Sequence, residues 1–286
     1  LLVEGGTWRG GNLNWGTGAT DSPADTAVTG TPANIESGAG GNAHIHYVDN
    51  ADGSQSYAMG RVVKHTDGRL VMTQYADDAL YSSHPRTQLF GMYLLNLSGY
   101  WRQYVSVQFG DSEVPWPVYS DNIGTDGVLF YQLKGTVAGN PVLQLTAKNN
   151  SSDRTKIDVQ FNVNLTSGGI VSNVYTQSAL QAGVRHDFVI DTFLDWRARG
   201  ASGGKAYNGL WYSREGETPE LVYSSTSSNT LWSNTADKVQ PMWGIYRYQW
   251  NTKATDDCRV IFHRAGIKNA SRSLAARAIQ ARNART

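Results

Sequence analysis

KIDVQFNVNL, residues 156–165, indicates the fold class because its side chains alternate strictly between apolar and polar. A period of two is typical of a β-strand that has one face in the core and one outside. The residues predicted to face the core are Ile157, Val159, Phe161, Val163 and Leu165, and those predicted to face outward are Asp158, Gln160, Asn162 and Asn164. The segment therefore predicts an antiparallel sheet that is packed on one side.

Similar segments lie on both sides of this strand, separated by turns rich in Gly, Asn and Asp. They read YAMGRVV, RLVMTQY, WRQYVSVQF, GVLFYQLKG, NPVLQLTAK, VRHDFVIDTFLDW, GLWYSRE and RVIFHRAGIK. So many short strands predict an all-β protein, a β-jelly roll in the form of a concanavalin A-like two-sheet antiparallel sandwich.

The chain divides into three regions by pattern. Residues 1–43 are rich in Gly and other turn residues without periodicity, and we expect them to form a loop region, or a string of very short edge strands, packed on the sandwich. Residues 44–268 carry the strands and form one jelly-roll domain, because no linker divides them. Residues 269–286 contain good helix formers and no acidic residue, which predicts a short basic helix, either docked on the sandwich or in contact with a partner.

Composition narrows the class of protein. The chain of 286 residues has 30 Gly, 9 Trp and 15 Tyr but only 17 % charged residues, which favours an extracellular β protein. A net charge of +1 predicts no strong attraction to nucleic acid or to a membrane surface. The single cysteine, Cys258, excludes an internal disulfide and indicates a buried, small, apolar side chain. We therefore expect a secreted protein, extracellular or periplasmic.

The stretch PMWGIYRYQW, residues 241–250, is the most aromatic strand candidate. With a period of two, Met242, Gly244, Tyr246, Tyr248 and Trp250 share one face. Two phenols in line beside a glycine suit a surface that meets a polar ligand. The alternative is a half-buried strand in an aromatic-rich protein.

Two other strands also bring polar groups together, Arg86 with Gln88 and Gln132 with Lys134. These strands carry no pair of carboxylates of the kind that glycosidases use, and the chain has neither a G-x-S-x-G nor a phosphate-loop motif. Cations, amides and phenols match the β-elimination of uronates. In that reaction a carboxylate must be neutralised before the C5 proton becomes acidic enough to remove.

Three motifs resemble those of jelly-roll polysaccharide lyases, the group that is similar to alginate lyases, heparin lyase I and glucuronan lyases. They are PRTQL at 85–89, YQLKG at 131–135 and PMWGIYRYQ at 241–249. The family patterns are approximately R-T/S-E-L, Q-I/V-H and Y-F-K-x-G-x-Y, in the same order. This chain departs from them at Gln88 in place of Glu, Lys134 in place of His, and Met242 in place of Lys.

The resemblance implies a lyase that acts on an acidic polysaccharide. Arg86 and Gln132 would neutralise the C5 carboxylate, and Tyr246 would protonate the leaving glycosidic oxygen. The base is either Tyr246 itself or Lys134, which would have to be neutral at the working pH and otherwise binds the acid. The residues expected to make further substrate contacts are Gln88, Tyr248, Arg102 and Tyr104.

This chemistry requires no cofactor, and the expected partner is an acidic polysaccharide, a glucuronan-like or alginate-like uronate before a sulfated glycosaminoglycan. The sequence permits a structural calcium ion at loop aspartates such as Asp49 and Asp52. His44 and His46 have the spacing of a chelate, but no third ligand lies near them in sequence, so we assign no metal site.

A different class of function remains open on the same fold, a non-catalytic carbohydrate-binding module or a viral adhesin. Such a protein would present exposed aromatic rings on which sugars stack. The candidate rings are those of Trp8, Trp15, Trp101 and Trp116.

Overall fold

A computed structural model shows an all-β fold of two antiparallel sheets, as the sequence predicts. The residues that the structure describes are 13–14, 35–37, 48–49, 55–57, 62–67, 69–74, 86–91, 99–117, 127–135, 141–164, 171–195, 206–226, 239–247 and 256–270.

The strands, in chain order, are β1 (Leu13–Asn14), β2 (Ile35–Ser37), β3 (Val48–Asp49), β4 (Gln55–Tyr57), β5 (Val62–Lys64), β6 (Leu70–Gln74), β7 (Arg86–Gly91), β8 (Gly99–Phe109), β9 (Val128–Gly135), β10 (Pro141–Asn149), β11 (Lys156–Asn164), β12 (Val171–Gln181), β13 (Arg185–Leu194), β14 (Tyr207–Arg214), β15 (Glu220–Ser225), β16 (Val239–Arg247) and β17 (Cys258–Ala270).

The order of the strands within each sheet brings distant segments together. Sheet A has the order β1-β7-β16-β9-β10-β11-β12, with β2 also paired to β7. Sheet B has the order β15-β14-β13-β8-β17-β6-β5-β4-β3. Because β16 lies between β7 and β9, the three motif strands of the sequence are neighbours in sheet A.

The core lies between the sheets and is closed by aromatic rings from both. The ring of Phe130 in sheet A lies 5.1 Å from that of Phe109 and 6.1 Å from that of Phe188, both in sheet B. The alternation in β11 is confirmed, since Ile157 and Phe161 are fully buried. Cys258 is buried as well, as predicted.

The residues of β11 that are predicted to face outward are more buried than the sequence indicates. Asp158 is only 9 % exposed because its carboxylate accepts hydrogen bonds from Asn150 Nδ2 at 2.8 Å and from the Ala179 backbone N–H at 3.0 Å. Periodicity identifies the face of a residue, but it does not report the neighbouring loop that covers it.

A chain of buried hydrogen bonds crosses the core. The hydroxyl of Tyr131 donates to Gln103 Oε1 at 2.5 Å, and Gln103 Nε2 donates to Thr192 Oγ1 at 3.1 Å. Thr192 Oγ1 in turn donates to Asn208 Oδ1 at 3.1 Å. These bonds join β9 of sheet A to β8, β13 and β14 of sheet B, and each buried polar group in them has a partner.

Of the two predicted region boundaries, the one between residues 268 and 269 falls on described residues and the one between residues 43 and 44 does not. Strand β17 continues to Ala270, so the first two residues of the predicted C-terminal helix, 269–286, are strand. Residues 271–286 lie outside the described part of the chain. In the N-terminal region, 1–43, the described residues form β1 and β2 at one end of sheet A. No described helix is long and apolar enough to cross a membrane.

Candidate functional site

The candidate site lies on the outer face of sheet A, where β16 runs between β7 and β9. Met242 is the register partner of Gln132 on β9, and Tyr246 is the register partner of Arg86 on β7. Register partners lie on the same face of a sheet, as do residues two apart in a strand. Gln132, Met242 and Tyr246 therefore share one face, and Trp243 and Ile245 point the other way into the core.

A bulge between Trp243 and Tyr246 sets the position of the tyrosine. The ladder between β16 and β9 shifts by one residue here, so that Tyr246 lies opposite Leu129. Gly244, inside the shift, has φ 145°, a backbone conformation that side-chain-bearing residues rarely adopt. The backbone of this bulge therefore requires glycine at position 244. The bulge positions the half-buried Tyr246 on the outer face.

The amide of Gln132 is held in place but is weakly engaged. Only 6 % of the residue is exposed, and its Nε2 donates to Met242 Sδ at 3.0 Å. A thioether is a weak acceptor, so this donor can exchange it for a carboxylate oxygen at little cost. The arrangement suits recognition of an acidic group.

A row of carboxamides extends from Gln132 across the sheet. Gln144 on β10 is the register partner of Gln132 and also of Asn162 on β11, and Asn162 pairs with Asn173 on β12. No motif in the sequence marks this row as part of the site, although the alternation of β10 and β11 places Gln144 and Asn162 on outer faces. Amides that donate and accept side by side can bind the hydroxyls of successive sugars.

Lys134 lies two residues after Gln132 near the end of β9, and its side chain is half-buried. Within the described part of the chain no carboxylate forms an ion pair with it. Its ammonium group can therefore bind an acidic ligand on the same face as Gln132.

Two further predicted residues are described only as backbone, and a third is not described. Arg86 and Gln88 lie in β7, where their backbones pair with Tyr246 and Gly244 of β16. Tyr248 lies outside the described residues. The backbone register thus brings the positions of Arg86 and Gln88 alongside the tyrosine strand.

The structure does not bring Arg102 and Tyr104 to this face. Both lie on β8 of sheet B, on the face opposite to the core residue Val105. The Arg102 guanidinium donates to both carboxylate oxygens of Asp191, from Nε at 2.7 Å and from Nη2 at 2.6 Å, and the hydrogen bond to Asp191 raises the pKa of Arg102. A polar strand face identifies residues that leave the core, but not which of the two outer faces they reach.

The stacking platforms of the alternative function are partly contradicted. Trp101 and Trp116 are 8 % and 6 % exposed, and the indole N–H of Trp116 donates to Asn149 Oδ1 at 2.7 Å. Their rings pack in the core and present no platform to a sugar. Trp8 and Trp15 lie outside the described residues.

No metal centre is formed by the residues that the structure describes. Among them, no group of three or more His, Cys, Asp or Glu side chains could hold an ion. His44, His46 and Asp52 lie outside the described residues, and Asp49 is described only as backbone of β3.

No protein-family model matches the sequence, and no curated protein matches it. Solved structures are similar in fold. The alginate lyase from Klebsiella pneumoniae aligns with a TM-score of 0.52 and 14 % identity over 73 % of this chain and 84 % of its own. Alginate lyase A1-II′, a member of polysaccharide lyase family 7, aligns with a TM-score of 0.50 and 14 % identity over 79 % and 93 %.

The exolytic family 7 alginate lyase from Zobellia galactanivorans aligns over 91 % of this chain and 95 % of its own, with a TM-score of 0.50 and 10 % identity. Alginate lyase A1-II′ has also been solved in complex with substrate, with a histidine and a tyrosine replaced by asparagine and phenylalanine. At such low identities the likeness concerns the backbone. The chain therefore has the jelly-roll fold of the family 7 alginate lyases, the fold that its three motifs predict.

Proposed function

We propose that this chain is a polysaccharide lyase that cleaves a uronic-acid-containing polysaccharide by β-elimination. The observation that carries the proposal is the convergence of the three motif strands on one face of sheet A. There β16 pairs with β7 through Tyr246 and Arg86, and with β9 through Met242 and Gln132. The fold shared with alginate lyases supports it.

In the proposed reaction Arg86 and Gln132 bind the C5 carboxylate of the uronate. Their hydrogen bonds strengthen as negative charge spreads onto that group, which lowers the barrier to removal of the C5 proton. The base takes this proton, the electron pair forms a C4=C5 double bond, and the C4–O glycosidic bond breaks. Tyr246 donates a proton to the leaving oxygen, and the products are a new reducing end and an unsaturated uronate.

Tyr246 can serve as both base and acid if it begins as a phenolate. It would then take the C5 proton and pass it to the glycosidic oxygen on the same side of the sugar. Lys134 is assigned to binding of the acidic substrate, since a cation beside Gln132 needs no change of protonation state for that role. No cofactor enters these steps.

The proposed substrate is an alginate-like or glucuronan-like uronate polymer. The carboxamide row of Gln132, Gln144, Asn162 and Asn173 supports an extended chain of sugars on this face. A protein that acts on such polymers meets them outside the cell, so the proposal includes secretion.

The test is incubation with alginate, glucuronan and a neutral glucan, followed by the ultraviolet absorbance of the unsaturated product. We expect product from at least one uronate polymer and none from the glucan. A carbohydrate-binding module would bind polymer without forming product, and that result would reject the lyase.

The variant Tyr246→Phe keeps the ring but removes the hydroxyl. We expect a loss on the order of 10² to 10⁴ in kcat with little change in substrate binding, because proton transfer depends on the hydroxyl. Tyr175→Phe is the matched control, since it removes a hydroxyl that donates to Gln177 Oε1 at 2.7 Å on β12. Full turnover by Tyr246→Phe would show that the tyrosine has no catalytic role.

A further inference from the structure

A second cleft lies on the outer face of sheet B, on the opposite side of the sandwich from the candidate site. It has a volume of about 460 Å³, and its wall includes Tyr104, Ser106, Arg185, Asp187, His263 and Arg264. Strands β8, β13 and β17 form its floor, and Glu217 and Pro219, between β14 and β15, line one side. Ligand sites in proteins commonly have volumes of about 300 to 1,000 Å³.

Arg264 is the cation available in this cleft. The ladder between β17 and β8 shifts between Phe262 and Arg264, which brings Arg264 opposite Ser106 on the outer face. Its guanidinium carbon lies 5.1 Å from the centre of the Tyr104 ring. No described carboxylate forms an ion pair with it.

Tyr104 fixes this guanidinium without using its hydrogen-bond donors. A cation–π contact engages the face of the ring, so the N–H groups remain able to form a bidentate pair with a carboxylate. Tyr104 is itself hydrogen-bonded to Arg102, which Asp191 anchors. The arginine is therefore positioned before any ligand arrives, which reduces the entropy lost on binding.

The carboxylates of the cleft already have partners. Asp187 accepts a hydrogen bond from the Ser106 hydroxyl and lies 3.6 Å from Arg185 Nε. Glu217 accepts from the backbone N–H of Arg214 at 3.2 Å. These acids consequently oppose an incoming anion less than free carboxylates would.

His263 adds a polar ring that is neutral near pH 7. Its Nε2 lies 3.3 Å from Gln108 Oε1. Burial lowers the pKa of His263, and the positive charges of Arg185 and Arg69 lower it further. A neutral imidazole can donate a hydrogen bond to a sugar hydroxyl or accept one from it.

We propose that this cleft is a second saccharide site, in which Arg264 binds the carboxylate of a uronate residue while the Ser106–Asp187 pair and His263 bind sugar hydroxyls. The choice of an acidic sugar rests on the proposed function. A polymer held on both outer faces of one domain dissociates more slowly than one held on a single face. A short oligosaccharide occupies one site at a time and gains nothing from the second.

The first experiment measures binding of a saturated uronate trisaccharide to the Tyr246→Phe protein, which prevents turnover. We expect two molecules bound per chain, with nuclear magnetic resonance shifts at His263 that are absent when a neutral glucan trisaccharide is added. Absence of a shift at His263, or equal shifts with the neutral sugar, would overturn the proposal whatever the number of molecules bound elsewhere.

The second experiment uses Arg264→Met in the otherwise unchanged protein. We expect KM for the polymer to rise on the order of tenfold, the weight of one charge-assisted hydrogen bond, while kcat and KM for the trisaccharide stay the same. Arg154→Met is the control. It removes the same charge in the turn between β10 and β11, away from the cleft, and should leave kcat and KM unchanged for both the polymer and the trisaccharide.

Different results reject the lyase function and the second saccharide site. Absence of unsaturated product from every uronate polymer rejects the lyase function, and the trisaccharide titration still reports on the cleft. Product formation with an unchanged KM for the polymer in Arg264→Met rejects the cleft alone. Thermal unfolding of Arg264→Met shows whether a change in KM comes from loss of fold.

Discussion

Lys134 occupies the position at which the family pattern has a histidine, and its substitution tests what a cation contributes there. Lys134→Met removes the charge and keeps an unbranched chain of similar length. If the ammonium group only binds the acidic substrate, KM should rise on the order of tenfold or more while kcat stays nearly the same. Steady-state kinetics on a uronate polymer measure both constants.

Lys148→Met is the control for Lys134→Met, because it removes the same charge from β10 at the position paired with Asp158. If kcat of Lys134→Met instead falls as far as that of Tyr246→Phe, and the pH–rate profile changes, Lys134 is the base.

At the scale of the element, the bulge in β16 links backbone conformation to the candidate site. Gly244→Ala places a side chain at φ 145° and should destabilise the fold by about 1 to 3 kcal/mol. Relief of this strain would shift Tyr246 relative to Gln132, so we expect kcat/KM to fall as well. Denaturant unfolding and kinetics at a temperature where the variant is folded measure the two effects.

Gly183→Ala is the control for Gly244→Ala, because it introduces backbone strain in a turn outside the candidate site. Gly183 has φ 75° in the turn between β12 and β13, and an added Cβ would meet nothing within 4 Å. This variant should lose stability while keeping its activity. Equal activity losses in the two glycine variants would mean that the bulge in β16 has no particular role.

The buried hydrogen-bond chain makes a second prediction for the elements. Tyr131→Phe removes the donor to Gln103 Oε1 and leaves a buried acceptor unpaired, which should lower the free energy of unfolding by about 1 to 3 kcal/mol. Gln103→Met removes this acceptor and also the donor to Thr192 Oγ1, so the double variant should lose less stability than the sum of the two single variants. Urea unfolding of the single and double variants measures the coupling, and strict additivity would contradict it.

Strand β9, which contains Tyr131, shows what sequence periodicity can and cannot predict. Strict alternation predicts Val128, Phe130 and Gln132 on one face of β9, and the structure instead buries both Phe130 and Tyr131 in the core. The ladder to β10 shifts by one residue at this point, between Leu145 and Thr146. A bulge has no side-chain period of its own, so alternation on either side of it is predictable but the change of face is not.

The sandwich has two polar outer faces, one on each sheet. A strand's sequence predicts which residues lie on an outer face, but not which sheet the strand belongs to. The order of the motifs predicts the jelly roll and the neighbouring positions of Gln132 and Tyr246 in sheet A. The alternation of β8 does not distinguish sheet A from sheet B. The sequence therefore groups Arg102 and Tyr104 with the substrate site, although they lie on the other sheet. That assignment depends on strand order, which only long-range pairing determines.

Stability of the whole molecule should depend on pH through a buried histidine. His186 is 1 % exposed, with Nε2 3.0 Å from the Gln181 carbonyl oxygen and Nδ1 3.0 Å from the Tyr212 hydroxyl. Burial lowers the pKa of His186 below its usual 6.5, and the hydrogen bond to the Gln181 carbonyl offsets only part of this effect. Arg214 lowers the pKa further, and Asp187 and Glu217 raise it by smaller amounts. Burial also raises the pKa of Tyr212 to about 12, so the phenol remains a donor to the imidazole.

A histidine with a lowered pKa in the folded state stabilises the fold fully only above its unfolded pKa. As pH falls below about 6.5, the unfolded chain binds a proton that the folded protein excludes, so the free energy of unfolding decreases. We expect urea midpoints to fall between pH 7.5 and pH 5.5, and to fall less in His186→Gln, which no longer titrates. An unchanged slope in His186→Gln would mean that other groups, His263 among them, account for the pH dependence.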